Sequence, residues 1–192
     1  MQNTNGNSSP RKLFGAIDLT GGLSAGRLLW LLSLGITVVA LEQAFRWPLQ
    51  MPGHHGIEAM ALLLLGRLSC SSPWSATIVG ASAAVAAPAL GADHGPLMPL
   101  FYLLPGAILD LGYRLRPKLG MLGTMVLYLP LVAALAWTAK PVVRVAANLA
   151  FGMQFGSLRS GPVYPIVTHL LFGFVGGLVA VLIWRATERG RT

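Results

Sequence analysis

Met51-Pro52-Gly53-His54-His55-Gly56-Ile57-Glu58 is a polar, histidine-bearing turn set between two hydrophobic runs. Such a turn stands out because the chain is 54% hydrophobic and only 10% charged. Soluble domains carry about a quarter charged residues, so this composition belongs to an integral membrane protein. The formal net charge of +8 does not point to nucleic acid, because the basic residues cluster beside apolar runs as they do in cytoplasmic membrane loops.

Working outward from the turn, the run before it follows Arg27 and extends from Leu28 to Phe45, with Glu42, Gln43 and Arg46 near its end. Helical spacing sets Glu42 and Arg46 on one face as an interfacial ion pair or a charge lining a cavity. No small-residue cleavage site follows, so this run reads as a retained span. Residues 1–26 are rich in Asn, Ser, Gly and Thr and read as a disordered cytoplasmic tail.

After the turn, Ile57 to Leu68 is too short to cross a hydrocarbon core of about 30 Å upright at about 1.5 Å per residue. It needs flanking residues or a protein-lined setting. Ser71-Ser72-Pro73 breaks the helix, and Trp74 to Leu90 forms a third span in which Gly80, Ala83, Ala84 and Ala87 leave little side-chain bulk. Small residues at this spacing let helix backbones approach closely, so the third span is expected at the centre of the bundle or against a partner. Cys70, the lone cysteine, has no partner for an internal disulfide and reads as a small helix-end residue.

Gly91-Ala92-Asp93-His94-Gly95-Pro96 is a second polar turn. Leu97 to Tyr113 follows as the fourth span, with Pro99 and Pro105 as expected kinks and Asp110 and Arg114 at pairing distance. Leu119 to Trp137 is the fifth span. Lys140 to Phe155 carries Arg144 and Asn148 and falls below the roughly 20 residues of a full span, which predicts a separate partial or re-entrant helix. Val163 to Trp184 is the last span, with Gly173, Gly176 and Gly177 as a second close-packing face, and residues 186–192 form a basic cytoplasmic tail.

The expected fold is therefore an all-α integral membrane protein: a bundle of six transmembrane helices over 27–185 with one extra partial helix before the last span. With both termini cytoplasmic, Arg11, Lys12, Arg27, Arg67, Arg114, Arg116, Lys118, Arg185, Arg189 and Arg191 lie inside, against Arg46, Lys140, Arg144 and Arg159 outside. The same orientation gathers His54, His55, Glu58, Asp93 and His94 in outer loops. His169 joins them roughly 9 Å below the outer surface, with Arg144, Asn148, Tyr164 and Thr168 able to face the same region. Intramembrane polar groups are costly and usually point into a cavity, so a polar site open to the outside follows.

Two ligand chemistries suit these residues. His54, His55, Asp93 and His94 supply nitrogen and oxygen donors for a divalent metal ion, with Glu58 one helical turn away. Arg144 and Arg159 can hold a carboxylate or phosphate of an organic ligand, with His55, His94, Asn148 and His169 as hydrogen-bonding groups. Trp47, Phe101, Tyr102 and Tyr164 are then stacking candidates, or members of an interfacial aromatic belt. No Gly-x-Ser-x-Gly elbow, His-Glu-x-x-His zinc helix or Walker-type phosphate loop occurs, so an enzyme is not expected. The alternatives are a non-transporting scaffold that binds partner helices and, behind it, an intramembrane hydrolase.

This arrangement of six hydrophobic spans, a short second and a third span parted by a Ser/Pro break, and polar residues in the outer loops resembles the substrate-binding (S) components of energy-coupling factor (ECF) transporters. The resemblance implies a multi-pass protein of a bacterial-type cytoplasmic membrane. It implies capture of a vitamin, a vitamin precursor or a metal ion as cargo, with no resident cofactor. It also implies a transmembrane T component and two cytoplasmic ATPases as partners. The family's Ala-x-x-x-Ala docking pattern lies in the first span, whereas here Ala83 and Ala87 lie in the third. Residue 2 is Gln2 where the cobalt and nickel members carry a chelating histidine.

Overall fold

A computed structural model describes residues 23–45, 51–92, 95–117, 120 and 123–190. Ser24 accepts a hydrogen bond from Arg27 N at 3.4 Å, an N-cap that starts α1 (Ala25–Ala44). Then come α2 (Gly56–Ser69), α3 (Ser75–Ala89), α4 (Met98–Arg114), α5 (Leu129–Phe151) and α6 (Val163–Arg189). A π-helical segment, Gly123–Tyr128, leads into α5, and a 3-10 turn, Gly156–Leu158, precedes α6. The described residues form no strand.

The hydrophobic runs and the helices coincide for most of the chain, and two boundaries and one expected kink differ. Lys140 to Phe155 is not a separate partial helix: residues 123–151 form one continuous helical stretch through Pro141, and the chain breaks at Gly152. Gly152 adopts φ +65°, the left-handed geometry that ends helices, and its N–H donates to Asn148 O at 2.9 Å. The last helix runs past Trp184 to Arg189, so most of the expected basic tail is helical, with Arg185 and Arg189 near the negative end of the helix dipole. Pro99 falls in the first turn of α4, where its missing N–H is not needed, and only Pro105 is internal. Of the expected N-terminal tail, residues 1–22 lie outside the described residues, as do Arg46 and Trp47.

Successive helices alternate in direction, so the turns after α1, α3 and α5 share one end of the bundle and the turns after α2 and α4 share the other. The central helix is the short α2, which packs against each of the other five. Its Met60, Leu63 and Leu64 are buried against a core that includes Leu31 and Val38 of α1, Val79 of α3, Leu109 of α4, Leu129 of α5 and Val181 of α6. That accounts for its length: no residue of α2 is fully exposed, and most of its surface is covered by the other five helices. The sequence expectation had set α3 either at the centre or against a partner.

Small residues set the spacing of the bundle. Gly35 of α1 faces the Val79 carbonyl and Ala83 of α3, and a Cβ on Gly80 would collide with the Tyr102 carbonyl of α4. Gly80, Ala83 and Ala87 are therefore covered by helices of this same chain, and Ala84 is half-buried. The expected partner-docking role does not fit them: their small volume is already used inside the bundle. Gly173 and Gly177 likewise seat α6 on α5, and Gly176 seats it on α2.

At the end where α3 begins, Asp110 of α4 is completely buried and binds the start of that helix. It accepts from Ala76 N at 3.1 Å, Thr77 N at 2.8 Å and Thr77 Oγ1 at 2.7 Å. A carboxylate at a helix N-terminus satisfies orphan N–H groups and complements the dipole. Arg67 Nε of α2 stands 3.8 Å from the same carboxylate, and its guanidinium lies over the Tyr113 ring. The expected Asp110–Arg114 pair does not form. Arg114 instead donates to Pro73 O at 3.0 Å and stacks over Trp74.

Three stretches are long and apolar enough to cross a membrane: Ala25–Ala44, Gly123–Phe151 and Val163–Arg189. Their outward faces leave large apolar side chains uncovered, such as Leu182 at 65% and Leu135 at 62%, and Val85 of α3 is 77% exposed. Monomeric soluble proteins rarely leave such contiguous apolar surface in water, and a hydrocarbon environment removes the cost.

Candidate functional site

The turn before α2 is held in shape by Gly53, whose φ of +89° is accessible to glycine and strained for other residues. A Cβ there would also run into the His169 ring, so this position needs glycine on both counts. The Gly53 carbonyl accepts from Trp137 Nε1 at 3.0 Å, which ties the turn to α5. His54 Nδ1 lies 2.8 Å from the Met51 carbonyl, and His55 Nδ1 lies 2.6 Å from Glu58 Oε1. The two imidazoles are tilted against each other with centroids 3.9 Å apart.

Because α5 continues through Lys140, Trp137, Lys140 and Arg144 fall on one helical face at i, i+3 and i+7. Lys140 Nζ sits 3.7 Å from the Trp137 ring centroid, 4.8 Å from that of Tyr102 and 3.8 Å from Glu42 Oε1. Tyr102 Oη donates to the other oxygen, Glu42 Oε2, at 2.5 Å. Arg144 lies over Phe101 at 4.9 Å and donates to Ser157 Oγ at 3.3 Å. From α6, the buried His169 places Nδ1 2.7 Å from the Pro165 carbonyl and stacks beside Trp137 with centroids 5.9 Å apart.

These groups line a cavity of about 360 Å³ at the end of the bundle shared by the turns after α1, α3 and α5. Its walls combine a cationic and aromatic side, from Lys140, Arg144, Trp137, Tyr102 and Phe101, with an imidazole side from His54, His55 and His169. A carbonyl only accepts, so the Nδ1 atoms of His54 and His169 carry hydrogens, and in the neutral ring each Nε2 is an acceptor. His54 Nε2 is buried and has no hydrogen-bond partner among the described residues. Glu42 is the one carboxylate lining the cavity among the described residues, and it is engaged by Lys140 and Tyr102. Two cationic side chains, Lys140 and Arg144, therefore line the cavity together with Glu42.

Of the residues singled out from sequence, His54, His55, Arg144 and His169 meet at this cavity, with Phe101 and Tyr102 from the aromatic set. Glu58 stands behind His55 and orients it. Asn148 donates to Met153 O at 2.8 Å and closes the end of α5. Tyr164 and Arg159 are exposed and do not line the cavity; of the 156–162 turn, Ser157 does. Asp93 and His94 lie outside the described residues. Among the described residues, no three His, Cys, Asp or Glu side chains converge as a metal-ligand group.

Lys140 and Trp137 were missed as site residues; Glu42, expected as an ion pair with Arg46 or as a charge lining a cavity, does line this cavity, and Arg46 lies outside the described residues. The local signal was present in the spacing of Trp137, Lys140 and Arg144, which is legible once the helix is taken as unbroken. The class of protein defined by these features is an all-helical one, with three helical stretches long and apolar enough to cross a membrane and a polar cavity at one end. The chain matches no family model, no curated protein and no solved structure.

Proposed function

We propose that this chain is a membrane-embedded binding subunit that captures a small organic anion in the cavity between Lys140, Arg144 and the three histidines. The observation that carries the reading is the pair of cationic side chains, Lys140 and Arg144, mounted on aromatic rings in a recess that three histidines also line. A carboxylate or phosphate on the ligand suits ammonium and guanidinium donors, the latter offering paired N–H groups. Trp137 and Phe101 offer flat apolar surface for a ring, and His54 Nε2 offers an acceptor to a ligand N–H or O–H.

In this reading all six helices cross the membrane, both termini are cytoplasmic, and the cavity opens to the opposite side. The support is the alternating course of the helices, which gathers Arg27, Arg67, Arg114, Arg116, Arg185 and Arg189 at the other end. The resemblance to ECF substrate-binding components makes the chain the capture subunit of an importer, with a T component and two ATPases supplying the drive. Its docking surface then lies on lipid-facing residues other than Gly80, Ala83 and Ala87.

The test is a thermal-shift screen of the purified chain against small aromatic and heteroaromatic carboxylates and phosphates. Anionic ligands are expected to stabilise the wild type, and Arg144→Gln is expected to weaken that binding by roughly tenfold to a hundredfold, as loss of a charged hydrogen bond does. Ligands that bind Arg144→Gln undiminished, or neutral compounds that bind as well as anionic ones, overturn the assignment.

A further inference from the structure

At the end of the bundle opposite the histidine cavity, two recesses adjoin and share Arg27, Ser69 and Cys70. The first, about 880 Å³, is polar and faced by Arg27, Arg67, Arg114 and Arg116. The second, about 490 Å³, runs along the bundle between α1 and α6 over α2, with walls that include Trp30, Leu34, Leu65, Ile183 and Trp184. Trp30 Nε1 donates to Ser69 Oγ at 3.0 Å, which fixes the indole at the junction of the two.

Among the described residues the carboxylates at this end are Asp110 and Glu188, and neither forms a salt bridge with Arg27, Arg114 or Arg116. Asp110 is committed to Arg67 and to the start of α3. Arg114 and Arg116 are positioned by carbonyls and by the Trp74 and Tyr113 rings, and no carboxylate pairs with either among the described residues. Arg27 is exposed at the mouth, one turn before Trp30. A guanidinium cluster binds phosphate oxygens by charge-assisted bonds, and basic recesses between membrane helices take anionic headgroups. A free phosphate would use the arginines and leave the adjoining apolar channel unexplained.

We propose that the two recesses form one binding site for an anionic phospholipid, with the headgroup phosphate among Arg27, Arg114 and Arg116 and an acyl chain in the channel between α1 and α6. The site requires that the chain is embedded in a bilayer and is independent of what the histidine cavity binds. Its occupant bridges α1 and α6 where these helices flank α2, so its binding holds the bundle together at this end.

The test uses the full chain purified in a mild detergent, with phosphatidylglycerol, phosphatidylcholine or inorganic phosphate added in turn. Phosphatidylglycerol is expected to raise the melting temperature by several degrees and to remain as a one-to-one adduct in native mass spectrometry. The same amount of phosphatidylcholine is expected to do neither. Arg27→Gln/Arg116→Gln should lose the phosphatidylglycerol preference while melting as the wild type does without lipid, since both side chains are exposed. Leu65→Trp, which fills the channel, should weaken the lipid effect with the arginines intact. Equal retention of both lipids, a full shift with inorganic phosphate alone, or a double variant that keeps its preference would each overturn the proposal.

Discussion

Lys140 Nζ on α5 lies 3.8 Å from Glu42 Oε1 on α1, and both side chains are only 11% exposed. Burying two charges costs several kcal/mol each, and their attraction offsets this only while both are present. Lys140→Met strands the Glu42 carboxylate, so a loss of about 3 kcal/mol or more is expected. Lys140→Met/Glu42→Gln removes both charges, keeps an acceptor for Tyr102 Oη, and is expected to lose clearly less than the sum of the single variants. Unfolding in mixed micelles gives the three stabilities, and additive losses would show that the two charges are solvated independently.

The Asp110 carboxylate separates two pairings that spacing alone makes equal. If it served Arg114 one turn away, removal of either partner would cost little, as in an exposed helical pair. In the structure it holds Ala76 N, Thr77 N and Thr77 Oγ1 and faces Arg67. Asp110→Ala is therefore expected to cost about 3–5 kcal/mol, because it leaves buried donors and a buried guanidinium without their acceptor. Arg114→Gln is expected to cost at most about 1 kcal/mol. Similar losses for the two variants would restore the Asp110–Arg114 pair.

These two residues also mark how far the sequence carries. Helix positions were legible for α1 to α4 and for the start of α6, because apolar runs end at Ser71-Ser72-Pro73 and at glycine-bearing turns, and backbone preference at those residues is local. The shared location of His54, His55 and His169 was legible too, since alternating helices impose it. What escaped was the continuity of α5. Lys140 and Arg144 look like the end of a span until Glu42, Trp137 and Phe101 are seen to receive them, and two of those three come from other helices. Pairing along one helix was assumed for Asp110, and the unsatisfied N–H groups of a different helix won.

Close packing of α3 against α4 depends on the absence of a side chain at Gly80, where a Cβ would strike the Tyr102 backbone carbonyl. A carbonyl cannot rotate away as a side chain can, so the helices must part. Gly80→Val is expected to destabilise by about 1–3 kcal/mol, and to loosen the cavity as well, because the Tyr102 ring sits on the displaced segment. Gly156→Ala is the matched control: nothing lies within 4 Å of its Cβ position, so a change within about 0.5 kcal/mol is expected. Thermal melts of the two variants beside the wild type make the comparison.

The proposed orientation makes a prediction that does not need a ligand. The turns after α1 and α5 share the cavity end of the bundle, and the turn after α2 lies at the arginine end. If the bundle spans a bilayer with the cavity outward, Gly156→Cys and His55→Cys react with a membrane-impermeant maleimide on intact cells. Ser71→Cys, exposed at the other end, reacts only after permeabilisation. The native Cys70 is buried at 5% exposure, so its background is low. Labelling of Ser71→Cys alone on intact cells inverts the orientation and removes the importer reading. Labelling of positions 55 and 71 from one side would mean that α2 does not cross, leaving a bundle dipped into the membrane rather than spanning it.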